Sequence, residues 1–137
     1  NLHGTSGISD DDVGCRVAQF EQVFVDLGLG DGPAANGARN VVLGDFNTDP
    51  ARAAAFDASV QRLLEPVGDD QPFHFVTEVG QAAVPTYANA FNIDHVISDA
   101  LDGECRHPGA EGHGPAVLDF VYFDHLPAVC TLELPAE

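Results

Sequence analysis

A chain of 137 residues, 45% of them hydrophobic, is long enough to bury a core and has the usual size of one domain. Its 22 acidic residues face five arginines and no lysine, for a formal net charge of −17, so the chain lacks the basic stripe with which duplex-binding proteins neutralise phosphates. No run approaches the roughly 18 apolar residues that a membrane-spanning helix needs, so no transmembrane segment is expected. The acidity fits either a well-solvated surface or the capture of divalent metal ions.

The first predicted elements are a helix and a buried strand. Ser9 and Asp12 have the spacing of a capping box, and apolar residues then recur at helical spacing as far as Gly28. Residues 29–39 are rich in Gly, Ala, Asn and Pro without periodicity, which predicts a surface loop. The run VVLGDFN at 41–47 is short, apolar and β-branched, which is typical of a strand covered on both faces.

A second helix is predicted next, capped by Asp49, with Pro50 at its first position and its end before Pro66. Its core-facing side is predicted from apolar residues at helical spacing: Ala53, Phe56, Val60 and Leu63. Five short β-rich segments follow: residues 73–77, 85–88, 92–98, 116–123 and 128–134. The predicted fold class is α/β, more strictly α+β, with two helices on one face of a mixed β-sheet. A partner layer is expected on the other face.

The three cysteines show no spacing typical of a zinc site. Cys105 precedes a Gly- and Pro-rich loop and Cys130 lies in an apolar strand, which is compatible with one disulfide in an exported protein. Buried free thiols in a cytosolic protein are the alternative. The predicted location is therefore extracellular or periplasmic, and otherwise cytoplasmic. Cys15 is left over or pairs with a part of the protein outside this chain.

Polar clusters interrupt the predicted strands at their boundaries. In GDFN, Asp45 and Asn47 are two residues apart, so an extended chain would place both on one side while Phe46 enters the core. Three further clusters follow the same pattern: Asn1 with His3, residues 92–95, and residues 123–127. Each is costly to bury without partners, although Asp and Asn at a strand end are also ordinary turn formers.

The polar clusters resemble the sequence motifs of a known enzyme superfamily. NLHG, GDFNTDP, PTY followed by NIDHV, and FDHLP occur in the order expected of the endonuclease/exonuclease/phosphatase superfamily, which includes pancreatic-type deoxyribonucleases, apurinic endonucleases, inositol polyphosphate 5-phosphatases and bacterial sphingomyelinases. The resemblance spans nearly the whole chain. It implies that residues 1–137 are the C-terminal part of a single domain and form half of a four-layer α/β sandwich. It also implies that the N-terminal half, with an Asn and a metal-binding Glu, is absent from this chain, and that it belongs either to a longer or proteolysed protein or to a separate polypeptide.

The resemblance also implies roles for individual residues. Asp45 resembles the group that orients or deprotonates the attacking water and contacts the metal ion. Asn47 resembles the donor to a phosphoryl oxygen, and His3 resembles a histidine that contacts the phosphate or assists the leaving group. His125 resembles the histidine at the scissile phosphate, and Asp94 resembles the carboxylate that holds its imidazole.

The remaining implied ligand is Asp124, which resembles a metal-binding carboxylate. The implied cofactor is Mg²⁺, with Mn²⁺ and Ca²⁺ as alternatives, because hard cations prefer carboxylate oxygens. His95 is expected to point away from Asp94 into packing. The other histidines, at 74, 107 and 113, are expected in loops or at the surface.

The function that follows is a divalent-metal-dependent phosphoester hydrolase, in which an activated water attacks phosphorus in line. The expected substrate is a small-molecule phosphoester, a lipid headgroup or a nucleic acid, and the acidity favours the first two over duplex DNA. Two alternatives stay open. One is a non-specific nuclease of the same family, and the other is an inert binding or regulatory fragment, because the N-terminal metal ligand is missing.

Overall fold

The computed structural model describes residues 1–110 and 124–135. Their elements in chain order are β1 (Leu2–His3), α1 (Asp10–Phe24), β2 (Val41–Asp45), α2 (Ala58–Leu64), β3 (His74–Phe75), β4 (Asp94–Ser98), β5 (Asp102–Arg106) and β6 (Val129–Glu133). In the described part, four strands form a mixed sheet in the order β1-β2-β4-β3, and β5 pairs with β6. β1 is parallel to β2, and β4 is antiparallel to both β2 and β3. The predicted fold class is confirmed.

The hydrophobic core brings the two helices and the sheet together. It contains apolar side chains from α1, α2, β2 and β4 and from the adjoining loops: Phe20, Phe24, Val42, Phe46, Leu63, Val67, Phe73 and Ile97. Val42 and Leu43 are neighbours in β2 and therefore face opposite sides of the sheet. Val42 is buried in the core, whereas Leu43, on the second face, is 45% exposed. The predicted partner layer over the second face stays a prediction.

Helix α1 begins as the sequence predicts. The hydroxyl oxygen of Ser9 accepts a hydrogen bond from the backbone N–H of Asp12, and the Asp12 carboxylate accepts one from the backbone N–H of Ser9. Three aspartates in the first turn also stabilise the helix, because their negative charges lie at the positive end of the helix dipole. The side chains of Arg16, Phe20 and Phe24 are buried at a spacing of four residues.

The prediction for the second helix was wrong at its start. Asp49 caps only a turn, in which its carboxylate accepts hydrogen bonds from the backbone N–H groups of Ala51 and Arg52. The helix begins at Ala58, with Asp57 as the N-cap. Asp57 is fixed there because its carboxylate forms a buried ion pair with the Arg16 guanidinium, at 2.8 Å. Residue 56, predicted to face the core, is consequently 68% exposed.

The predicted strands were only partly correct. Residues 73–77 contribute the two-residue strand β3, and residues 85–88 form no strand because Tyr87 makes isolated bridges with Phe91 and His125 instead. Residues 116–123 and His113 lie outside the described part of the chain. β5 was missed, because DGECR has no β-branched residue and is stabilised as a strand by pairing with β6.

The predicted disulfide is confirmed between Cys105 and Cys130, which are directly opposite each other on β5 and β6. β6, which carries Cys130, begins after Asp124 and His125. Cys15 is exposed and has a free thiol. Neither described helix is long and apolar enough to cross a membrane.

Two glycines allow β1 to lie close to β2. A Cβ at Gly44 would overlap the carbonyl oxygen of Leu2, and the φ of Gly44 is +137°, a value that other residues rarely adopt. A Cβ at Gly4 would likewise overlap the carbonyl oxygen of Phe46. Both positions therefore require glycine for the two strands to pair.

Candidate functional site

The sheet registers bring three predicted site residues into one row. His3 at the end of β1 is opposite Asp45 at the end of β2, and Asp45 is opposite Asp94 at the start of β4. Because β1 and β2 are parallel and β4 is antiparallel to them, these three positions lie at the same edge of the sheet. The residues come from segments far apart in the sequence, so the fold itself assembles the cluster.

Asp45 and Asn47 contact each other through a turn that follows β2. Asn47 has a φ of +49°, so the chain leaves the extended conformation here, while Phe46 is fully buried as predicted. The backbone N–H of Asn47 donates to Asp45 Oδ1 at 2.7 Å, and its side-chain Nδ2 donates to Asp45 Oδ2 at 3.0 Å. Nδ2 also donates to the carbonyl of Gly4 at 2.9 Å. Donation to a phosphoryl oxygen would therefore require Asn47 to release one of these acceptors.

His125 lies between two carboxylates. Its Nδ1 is 2.8 Å from Asp94 Oδ2, and its Nε2 is 3.9 Å from Asp45 Oδ2. The Tyr87 ring packs beside the imidazole, with 4.9 Å between ring centroids. The expected contact between Asp94 and the His125 imidazole is thus present, and its role in catalysis stays a prediction.

Thr86 forms hydrogen bonds next to both members of the Asp94–His125 pair, although the sequence motif that contains it gave it no role. It is almost completely buried, and its hydroxyl oxygen accepts hydrogen bonds from the backbone N–H groups of Ile93 and Asp94, at 3.1 and 3.2 Å. Its carbonyl accepts a hydrogen bond from the backbone N–H of Leu126, at 2.7 Å. One residue therefore fixes the backbone at Asp94 and the backbone next to His125.

Asp49 is a second residue whose structural role the sequence did not reveal. Its carboxylate is buried and accepts hydrogen bonds from the Arg52 guanidinium at 3.0 Å and from the backbone N–H of Asn92 at 2.8 Å. Burial alone would raise the pKa of Asp49, but the hydrogen bonds from Asn92, Arg52 and Ala51 lower it below its usual value. Asp49 thus ties the turn after β2 to the start of β4 as a carboxylate.

Burial and neighbouring charges change the pKa of two groups in the cluster. Burial raises the pKa of Asp45, and the negative charge of Asp94 raises it further, against the lowering effects of the Asn47 hydrogen bond and of His125 and His3. Burial alone would lower the pKa of His125, but the hydrogen bond and charge of Asp94, aided by Asp45, raise it above its usual value. The arrangement therefore favours an imidazolium beside a carboxylate that is easier to protonate than usual.

The other predicted site residues lie at the edge of the cluster. His3 is mostly exposed, and its Nε2 is 3.6 Å from Asp45 Oδ2. Asp124 is exposed, and its carbonyl accepts a hydrogen bond from the backbone N–H of Ala88. The structure thus brings His3, Asp45, Asn47, Asp94 and His125 together and leaves the Asp124 side chain at the surface.

The histidines outside the cluster have different surroundings. His95 is 1% exposed and packs against the rings of Phe46 and Phe75, so it faces the packing as predicted. His74 lies in β3 rather than in a loop, with its Nε2 3.3 Å from an Asp102 carboxylate oxygen. His107 lies in the loop after β5, which is one of the two predicted locations, and its side chain is buried.

The described residues offer few ligands for a metal ion. Within residues 1–110 and 124–135, no group of three or more His, Cys, Asp or Glu side chains is arranged to hold one. Mg²⁺, however, often binds through one or two protein carboxylates together with waters and substrate phosphates. The half-buried Asp45 and the exposed Asp124 fit this oxygen-donor chemistry, and a cation would also offset the repulsion between Asp45 and Asp94.

Comparisons of the chain with models of protein families, with curated proteins and with solved structures found no match. The assignment to a superfamily therefore rests on the motifs in the sequence and stays a prediction. The clustering of the motif residues at one edge of the sheet is an independent observation, because it depends on registers between distant strands.

Proposed function

We propose that this chain belongs to a divalent-metal-dependent phosphoester hydrolase of the endonuclease/exonuclease/phosphatase type. The observation that carries the proposal is the contact of His125 with Asp94 at 2.8 Å, beside Asp45 and Asn47. An imidazole held between two carboxylates is suited to balance negative charge on a phosphoryl group, and an adjacent carboxylate is suited to accept a proton from water.

The residues divide this chemistry among them. Asp45 orients or deprotonates the water that attacks phosphorus in line. His125, as the imidazolium, donates a hydrogen bond to a nonbridging oxygen. Asn47 orients Asp45 through two hydrogen bonds, and the exposed His3, whose Nε2 is 3.6 Å from Asp45 Oδ2, would assist the leaving oxygen.

Asp45 and Asp124 would hold Mg²⁺, with Mn²⁺ or Ca²⁺ as alternatives. When bound, the cation would balance charge on the phosphoryl oxygens and lower the pKa of the attacking water. We further propose that an N-terminal half of the same domain completes the sandwich and adds a metal-binding Glu, as the motif resemblance implies.

The surface charge bears on the substrate. A net charge of −17 repels polyanions, so a small or lipid phosphodiester is favoured over duplex DNA. A non-specific nuclease is the second candidate, provided that the N-terminal half supplies a basic face. The disulfide fits an oxidising compartment, which favours an extracellular or periplasmic enzyme.

Hydrolysis of bis(4-nitrophenyl) phosphate by the longest natural polypeptide that carries this chain tests the proposal. Activity is expected with Mg²⁺, lost after treatment with a chelator, and restored by added Mg²⁺. His125→Ala should lower kcat/KM by about two orders of magnitude or more, the scale of a positioned acid-base group. Asp94→Asn should lower it about ten- to 150-fold, because a hydrogen bond to a charged group is worth about 1.5–3 kcal/mol.

The matched control is His74→Ala, since His74 also contacts a carboxylate but lies in β3 outside the cluster. Near-normal hydrolysis by His125→Ala would show that the cluster does not catalyse the reaction. If the wild-type protein hydrolyses no phosphoester with any of the three metals, the binding or regulatory alternative replaces the enzyme.

A further inference from the structure

A cleft of about 220 Å³ opens beside Asn47, and the chemistry proposed above does not use it. Large apolar side chains that are exposed to solvent line it: Ile8 is 89% exposed, Phe56 68% and Phe91 39%. A group of exposed apolar side chains around one cleft is typical of a ligand-binding groove, whereas a single one needs no explanation.

The charged groups that line the cleft are occupied by protein partners. The Arg16 guanidinium donates to Ser59, to Asp57 and to two backbone carbonyls. Both carboxylate oxygens of Asp57 and of Asp49 accept hydrogen bonds from protein groups. The cleft therefore offers a ligand apolar contact, while its main charges are already paired.

The cleft also borders the cluster of proposed catalytic residues. Asn47 and Tyr87 both line it, and these residues contact Asp45 and the His125 ring, respectively. A phosphoryl group held at His125 and Asp45 would thus present one of its organic substituents to the apolar walls.

We propose that this cleft binds an uncharged, apolar ester substituent of the substrate, such as an aromatic ring or a short alkyl chain. The inference rests on the proposed phosphoester chemistry and names the substrate class. The volume is sufficient, because a dry cavity of about 150 Å³ holds a benzene ring. A charged substituent fits less well, since the charged groups that line the cleft already have protein partners and could not pair with it.

Calorimetric titration with phenylphosphonate and methylphosphonate in Mg²⁺ tests the cleft, because the two ligands share a head group and differ in the substituent. The wild-type protein should bind phenylphosphonate about tenfold more tightly or better, the scale of added apolar contact in a pocket. In the double variant Ile8→Ser, Phe56→Ser this ratio should fall to about one, while methylphosphonate binding stays unchanged. Leu29→Ser is the matched control, since Leu29 is fully exposed and outside the cleft.

The outcomes separate the cleft from the catalytic proposal. A wild-type protein that binds both phosphonates equally, or binds neither, overturns the subsite whether or not it hydrolyses phosphodiesters. A preference for phenylphosphonate that survives the double variant overturns it as well. A preference that the double variant abolishes, in a protein without hydrolytic activity, keeps the apolar subsite and refutes only the hydrolase.

Discussion

His95 is a buried imidazole directly behind the candidate site, and its replacement should remove a large pH-dependent contribution to stability. Because a carbonyl can only accept, Nε2 donates to the carbonyl of Thr48 at 3.1 Å, and Nδ1 is left to accept from the Thr77 hydroxyl at 3.4 Å. Both ring nitrogens are thus satisfied in the neutral form. Burial lowers the pKa of His95 to about 4, although the Thr48 contact and the charges of Asp94 and Asp49 oppose the change.

The size and sign of this contribution to stability follow from the pKa of His95 in the unfolded chain and in the folded protein. A pKa of 6.5 in the unfolded chain against about 4 in the folded protein corresponds to about 3 kcal/mol, at about 1.36 kcal/mol per tenfold change. The unfolded chain binds the proton more tightly, so protonation favours unfolding. The contribution of neutral His95 is therefore complete above pH 6.5, is lost as the pH falls, and changes no further below about pH 4.

Urea unfolding of the wild type and of His95→Gln, measured between about pH 7.5 and about pH 4.5, tests this. The glutamine variant should be less stable at neutral pH, because it loses the ring contacts with Phe46 and Phe75. Between the two pH limits, however, the wild type should lose about 2–3 kcal/mol more than the variant does, because the loss is complete only near pH 4. His74→Gln is the control and should follow the wild type. Parallel pH curves for the wild type and His95→Gln would refute the buried neutral imidazole.

Two further predictions concern the buried polar contacts around the site. Asp57→Ala should lower the free energy of unfolding by about 4–6 kcal/mol, because it leaves the charge of Arg16 buried and also removes the N-cap of α2. Glu65→Ala, which breaks an exposed ion pair, should cost less than about 1 kcal/mol in the same urea titration, and equal effects would contradict the argument. Thr86→Val should lower the free energy of unfolding by about 2–3 kcal/mol and should lower kcat/KM, because it removes the hydroxyl that accepts a hydrogen bond from the backbone N–H of Asp94. Thr86→Ser keeps the hydroxyl and should keep both stability and activity. A valine variant as stable and active as the serine variant would exclude this role.

The contact of Asp94 with His125 could be anticipated because the resemblance of the motifs implies it. The proximity of Asp45 and Asn47 could be anticipated because residues two apart in an extended chain share a face. The motif did not indicate that the Asp124 side chain is exposed, at a point where its carbonyl accepts a hydrogen bond from the backbone N–H of Ala88. A motif gives the type and order of side chains, and it does not give the path of the backbone between them.

The second helix shows why local rules failed where tertiary contacts decide. Asp49 followed by Pro50 has all the local features of a helix start. In the fold, the Asp49 carboxylate instead accepts a hydrogen bond from the backbone N–H of Asn92, which lies 43 residues further along the chain. The Asp57 carboxylate forms an ion pair with the guanidinium of Arg16, which belongs to α1. No pattern within a short window of sequence contains either partner.

The same long-range contacts explain how two repelling carboxylates stay adjacent. Asp45 and Asp94 are directly opposite each other in the sheet, and the charge of Asp94 raises the pKa of Asp45. Asp49 and Thr86 each fix the backbone near Asp94 through buried hydrogen bonds, and such bonds are costly to break because they leave unpaired groups behind. The fold itself therefore holds Asp45 and Asp94 in place. A positive charge at this edge, either that of the His125 imidazolium or that of a metal ion if one binds there, would be stabilised by two carboxylates that the fold has already positioned.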